Sequence, residues 1–129
     1  YFAHWLKMGK LIKNAPKIFN VNWFRTDDEG HFIWPGYGDN MRVLMWILDR
    51  CENKVEADKT AIGYIPKAED INISEMEDVN LDTIKELLKV DNKLWLEDAA
   101  SIRDFYNKFE GKIPAELAKE LDDLEARLK

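Results

Sequence analysis

The chain has 129 residues, of which 46% are apolar, 34% charged and 12% aromatic, and it carries a formal net charge of -6. That length suits one domain with enough apolar residue for a core, which argues against disorder, and no apolar run approaches the ~20 residues that a membrane span needs. The acidic balance argues against a nucleic-acid-binding surface as the main function, because phosphate binding leaves a basic excess.

Cys51 is the single cysteine, which excludes an internal disulfide framework and a multi-cysteine zinc site. It fits a reducing compartment, and a cytoplasmic protein is expected. The opening Tyr1-Phe2-Ala3-His4-Trp5 has neither an initiator Met nor a basic region before an apolar stretch. It does not read as a signal peptide, and a start partway into a longer protein is expected. Lys7, Lys10, Lys13, Lys17 and Arg25 give the first quarter a basic balance, read as a solvated face in preference to an anion site.

Three zones differ in texture: an aromatic-rich stretch over 1–50, an irregular polar connection over 51–78, and a charged helical tail over 79–129. Phe2 to Ile12 reads as the end of a helix that Asn14-Ala15-Pro16 stops. Ile18 to Phe24 suggests a strand, rich in β-branched and aromatic residues with partial alternation. Thr26-Asp27-Asp28-Glu29-Gly30 is a turn, and His31 to Trp34 returns as a second short strand, so a hairpin is expected. Pro35-Gly36-Tyr37-Gly38 breaks it. Asp39 or Asn40 can then cap a helix from Met41 to Arg50, apolar nearly all round and so expected to be buried on more than one side. Asn80 precedes an amphipathic helix carrying Leu81, Ile84, Leu87 and Leu88. A further helix is expected from about Asp91 to Phe109, ended by Gly111, and a last one has Pro114 in its first turn and Leu117, Leu121, Leu124 and Leu128 on one face. The fold class is therefore α+β, mostly helical, with a short aromatic-rich β-hairpin near the N-terminus.

Catalytic machinery is sparse. The sequence has no His-Glu-x-x-His, no Gly-rich loop ending in Lys-Ser/Thr and no serine flanked by glycines. His4 and His31 lie 27 positions apart without carboxylates at metal spacing, and packing explains them better than catalysis. No catalytic and no metal-ligating residue is assigned. One segment stands apart: Trp23, Phe24, Phe32, Trp34 and Tyr37 line the expected hairpin and its exit loop, among glycines and ahead of Asn40. Flat rings supply stacking faces for a heteroaromatic base, glycines admit close backbone approach, and an asparagine offers donor and acceptor to a base edge. The same residues also suit an aromatic mini-core with a Gly-Pro turn.

The strings Asn22-Trp23-Phe24-Arg25 and Phe32-Ile33-Trp34-Pro35-Gly36-Tyr37-Gly38-Asp39-Asn40 resemble the C-terminal part of GTP-dependent phosphoenolpyruvate carboxykinases. The likeness extends back through Tyr1-Phe2-Ala3-His4-Trp5-Leu6 and forward through Ile62-Gly63-Tyr64-Ile65-Pro66-Lys67 and the terminal helices, so it covers essentially the whole chain. The resemblance implies a guanine pocket in which Phe24, Phe32 and Tyr37 stack on the base, Asn40 reads its edge, and Trp23 and Trp34 give support. Two positions depart from the family's pattern, which usually has Phe where Tyr37 stands and commonly Glu at Asp39. The implied reaction converts oxaloacetate and GTP into phosphoenolpyruvate, carbon dioxide and GDP, a decarboxylating step of gluconeogenesis that requires a divalent cation, Mn2+ or Mg2+. The resemblance also implies a larger two-lobed α/β kinase-like parent whose phosphate loop, metal ligands, substrate arginines and lid lie upstream. On that reading the chain by itself is inactive, its partners are a guanine nucleotide and the remainder of the parent enzyme, and neither nucleic acid nor membrane is a partner. The alternative is a structural or interaction domain whose aromatics are only a packed core. A standalone catalyst finds no residues to support it.

Overall fold

The computed structural model describes residues 1–129. Helix α1 spans Phe2–Leu11, α2 Asn40–Cys51, α3 Leu81–Leu88, α4 Asn92–Asn107 and α5 Ala115–Leu128; strands β1 (Asp58–Thr60) and β2 (Gly63–Ile65) form one two-stranded antiparallel sheet. Short 3₁₀ turns occupy Tyr37–Asp39 and Ala68–Asp70. Helix predominates and one small sheet accompanies it, an α+β arrangement. No helix is long and apolar enough to cross a membrane. Contacts gather the chain into two compact units, one of residues 17–89 and one of residues 1–16 with 90–129.

In the 17–89 unit, Trp34, Trp46, Ala68, Ile71, Val79 and Ile84 form the buried cluster, with Phe19, Trp23, Val43 and Ile47 among the side chains packed on it. Helix α2 buries one face only. Val43, Trp46 and Ile47 turn inward, while Met41, Leu44, Met45 and Leu48, spaced to form the opposite stripe, remain 39–57% exposed. The expectation of burial on more than one side is therefore corrected within this chain. Neither expected cap of α2 acts as one: Asp39 sits at the N-cap without a side-chain cap bond, and its carboxylate accepts from Arg42 Nε at 2.8 Å. Helix α3 is opened by a capping box, in which Thr83 N donates to Asn80 Oδ1 at 3.0 Å and Asn80 N donates to Thr83 Oγ1 at 3.4 Å.

The expected hairpin is only partly formed. Residues 18–24 form no strand and half-bury alternate side chains, Phe19, Val21 and Trp23, with a bend at Trp23 and no partner strand. A single bridge, Thr26 to Phe32, is all that remains of the ladder. The one sheet lies instead inside the stretch expected to be irregular, with Asp58 opposite Ile65 and Thr60 opposite Gly63. Strands of three residues are too short to register as a period-two pattern.

In the other unit, α4 packs on α5, and Ala99, Leu121 and Leu128 are the buried residues of that pair. Asp91 caps α4 by accepting from Lys93 N at 2.9 Å and Leu94 N at 3.2 Å. Arg103 Nη2 on α4 donates to Asp122 Oδ1 and Glu125 Oε1 on α5, both at 2.8 Å. Helix α1 buries no residue completely; Phe2 meets Phe109 edge to face at 5.7 Å. Pro114 stands at the N-cap of α5, one position before the first turn where it was expected, and its carbonyl accepts from Leu117 N and Ala118 N.

Candidate functional site

The expected site residues all lie in the 17–89 unit, on the loop that runs from Asn22 into the start of α2. Local hydrogen bonds shape that loop residue by residue. Asn22 Oδ1 accepts from Phe24 N at 2.9 Å, an Asx turn that sets the direction of Phe24. Arg25 then ties the segment to the end of α3: Nη1 donates to the carbonyls of Glu86 and Leu87, the latter at 3.0 Å, and Nη2 pairs with Glu86 Oε1 at 2.7 Å. A guanidinium there meets the orphan carbonyls and the negative end of the helix dipole. Asp27 Oδ1 accepts from Glu29 N and His31 N, both at 2.9 Å, and Gly30 takes a positive φ of 86° at the tip. The His31 backbone N–H is the main cause holding the Asp27 carboxyl below its ordinary value. Ile33 N donates to Arg25 O at 3.0 Å and closes the loop.

Closure sets Phe24 beside Phe32, ring centroids 5.8 Å apart and planes at 62°. Both rings remain open to solvent, Phe24 at 70% and Phe32 at 63% exposure. Trp23 and Trp34 meet at 6.1 Å behind them, with Trp34 buried and Trp23 half-buried in the core. An internal mini-core thus describes the two tryptophans but not the two phenylalanines. Gly36, at φ 122°, turns the chain out of the loop. Tyr37 follows at 93% exposure, so the structure does not bring it onto the Phe24–Phe32 pair as a third wall. Asn40, the first residue of α2, accepts from Trp34 Nε1 at 2.9 Å. The arrangement is an open pair of apolar rings on a loop that ends at an amide held by Trp34, chemistry suited to stacking and edge recognition of a planar ring.

Groups that could move protons or hold metal are not assembled here. His31 Nδ1 lies 3.6 Å from both Asp27 Oδ2 and Glu29 Oε2, all exposed. No three His, Cys, Asp or Glu side chains converge as a cation site. A cleft of about 300 Å³ is lined by Met41, Arg42, Met45, Trp46, Asp49, Asp70 and Asn72, and none of the expected site residues borders it. Two scaffold residues were missed by the sequence reading. Arg25 and Lys17, grouped there as solvated basic face, both cap helices: Lys17 Nζ donates to the Arg50 carbonyl at 2.7 Å at the end of α2. Their partners lie 33 and 61 positions away, beyond any local signal.

Comparison with known proteins gives one family, described as the phosphoenolpyruvate carboxykinase C-terminal P-loop domain, which matches residues 1–127. The chain is 49% identical over 131 residues to a phosphoenolpyruvate carboxykinase [GTP] of Treponema pallidum (strain Nichols), covering 99% of this chain and 21% of that protein. It is 44% identical to the phosphoenolpyruvate carboxykinase [GTP] of Ascaris suum, over all of this chain and 20% of that protein. It is 42% identical to the cytosolic phosphoenolpyruvate carboxykinase [GTP] of Gallus gallus, again over all of this chain and 21% of that protein. The chain therefore spans about a fifth of the length of the curated relatives that it matches.

Proposed function

Because the chain belongs to the phosphoenolpyruvate carboxykinase C-terminal P-loop domain family, we propose that its aromatic loop holds the base of GTP or GDP in a GTP-dependent carboxykinase. The observation that carries this reading is the pair Phe24 and Phe32, two phenylalanines kept in ring contact and yet largely exposed by a loop with its own hydrogen-bonded frame. Exposed apolar rings in a fixed arrangement mark a binding surface more often than a folding requirement. Phe24 and Phe32 supply stacking faces, Tyr37 is the third ring of the pocket, and Asn40 meets the base edge. Trp23 and Trp34 support the ring pair from the core.

In this reading the parent enzyme converts oxaloacetate and GTP into phosphoenolpyruvate, carbon dioxide and GDP. This chain contributes nucleotide choice and position. Phosphoryl transfer depends on positioned cations and metal, and this reading places the divalent cation's ligands in the remainder of the parent enzyme. The exposed α2 stripe of Met41, Leu44, Met45 and Leu48 is the face we assign to contact with the remainder of the enzyme. The competing reading, a structural or interaction domain, accounts for Phe24 and Phe32 only if they too meet the remainder of the enzyme, since their exposure excludes an internal core.

The test uses the full-length carboxykinase carrying this sequence. Base–aromatic stacking contributes roughly 1–3 kcal/mol per base, so Phe24→Ala should raise KM for GTP by about ten- to a hundredfold. Neither kcat nor the KM for oxaloacetate should change comparably. An unchanged KM for GTP in both Phe24→Ala and Phe32→Ala would sink the assignment.

A further inference from the structure

The expected role of Asn40 is to read a base edge, but a free side-chain amide reads nothing by itself. Its oxygen accepts and its nitrogen donates, and a half-turn about the last side-chain bond exchanges the two. An asparagine able to flip would suit a 6-oxo and a 6-amino purine alike. In this chain the flip is blocked. Trp34 Nε1 lies 2.9 Å from Asn40 Oδ1, and an indole N–H can only donate, so the amide atom facing it must be the oxygen. Trp34 is itself 6% exposed and held in the core cluster against Trp23. The donor therefore comes from a rigid group. Turning the amide over would set two N–H donors against a buried N–H and leave that donor unpaired, a costly arrangement away from water.

We propose that Trp34 is a positioning residue for base selection: its indole N–H holds the Asn40 amide by its oxygen, so that the group left for a ligand is the Nδ2 donor. This inference rests on the reading of Asn40 as the base contact. An Nδ2 donor held in that place pairs with the O6 acceptor of guanine and opposes the N6 amino donors of adenine. Discrimination then comes from leaving hydrogen-bonding groups unpaired with the wrong base, the kind of selection that binding energy supplies most strongly. Trp34 takes part without touching the nucleotide.

The experiment compares GTP with ATP as the nucleotide substrate of the full-length carboxykinase, in the wild type, Trp34→Phe and Asn40→Ala. Trp34→Phe keeps a ring in the core and removes the donor. Its kcat/KM should fall with GTP and rise with ATP, narrowing the GTP:ATP ratio by about tenfold, the weight of one hydrogen bond. Opposite movements are what a freed amide causes. A parallel loss with both nucleotides would mean that Trp34 only supports the fold, and would overturn the proposal. Asn40→Ala separates the two levels. If it leaves the ratio unchanged, the base reading itself fails and the inference with it. If it narrows the ratio while Trp34→Phe does not, the base reading stands and the lock fails. A second measurement leaves the buried ring intact: hydrogen exchange at the Trp34 indole N–H, followed by NMR, should be faster in Asn40→Ala than in the wild type by about tenfold. Equal exchange in the two proteins would remove the bond on which the proposal stands.

Discussion

Two tryptophans in one core make opposite use of the same polar atom. Trp34 donates its indole N–H to Asn40, whereas the indole N–H of Trp46 is buried with no hydrogen-bond partner. Replacing either by Phe removes similar apolar surface, but Trp34→Phe also deletes a made bond and Trp46→Phe deletes an unmade one. Because an unpaired buried donor carries a desolvation penalty, Trp34→Phe should destabilise by about 1–3 kcal/mol more than Trp46→Phe. Urea denaturation of the two variants, compared at equal m-values, measures that gap; equal midpoints would refute it. At this scale the sequence was informative about residue type and silent about pairing. Trp23, Phe24, Phe32, Trp34 and Tyr37 stand out as a group by aromatic composition, but which rings turn to solvent and which to the core depends on what lies behind the loop.

The 22–40 loop shows how an element can be stable with almost no ladder. Asp27 holds it at the tip through two backbone N–H groups. Its carboxyl is depressed below 3.8, chiefly by the His31 N–H bond. The ionised carboxylate therefore stabilises the turn at every pH above 3.8, and that contribution is lost as the pH falls through the lower folded value. Acid titration should loosen the amides of Glu29 and His31 together, seen as faster hydrogen exchange at both, and Asp27→Ala should abolish this pH dependence. At the other end of the unit, Asn80→Ala removes the capping box of α3 and should cost about 1 kcal/mol by thermal or urea unfolding. The capping box is half legible, since Asn80 directly precedes the amphipathic run. The C-terminal anchor of the same helix was not, because Arg25 precedes it by 61 positions. Period-two alternation over 18–24 likewise reported real alternate burial and said nothing about whether a neighbouring strand would arrive to pair with it.

Across the whole chain, apolar surface is unevenly satisfied. The stripe Met41, Leu44, Met45 and Leu48 on α2 is one continuous apolar face that these 129 residues leave open. Such a face promotes association in isolation. Leu48→Glu should reduce concentration-dependent association, read by light scattering or sedimentation, without lowering unfolding stability, because Leu48 is 53% exposed. A large loss of stability would show that the stripe is packed after all. The helix positions and the family itself were determined by the sequence alone, because periodicity and the Asn-Trp-Phe-Arg and Trp-Pro-Gly strings are local patterns of residue type. Tertiary structure alone decided that 18–24 stays unpaired, that β1 and β2 form the one sheet, that α2 hides one face and exposes the other, and that the Asn40 amide has a direction. Each of these depends on contacts between positions too far apart in the chain, or strands too short, for any periodicity to record.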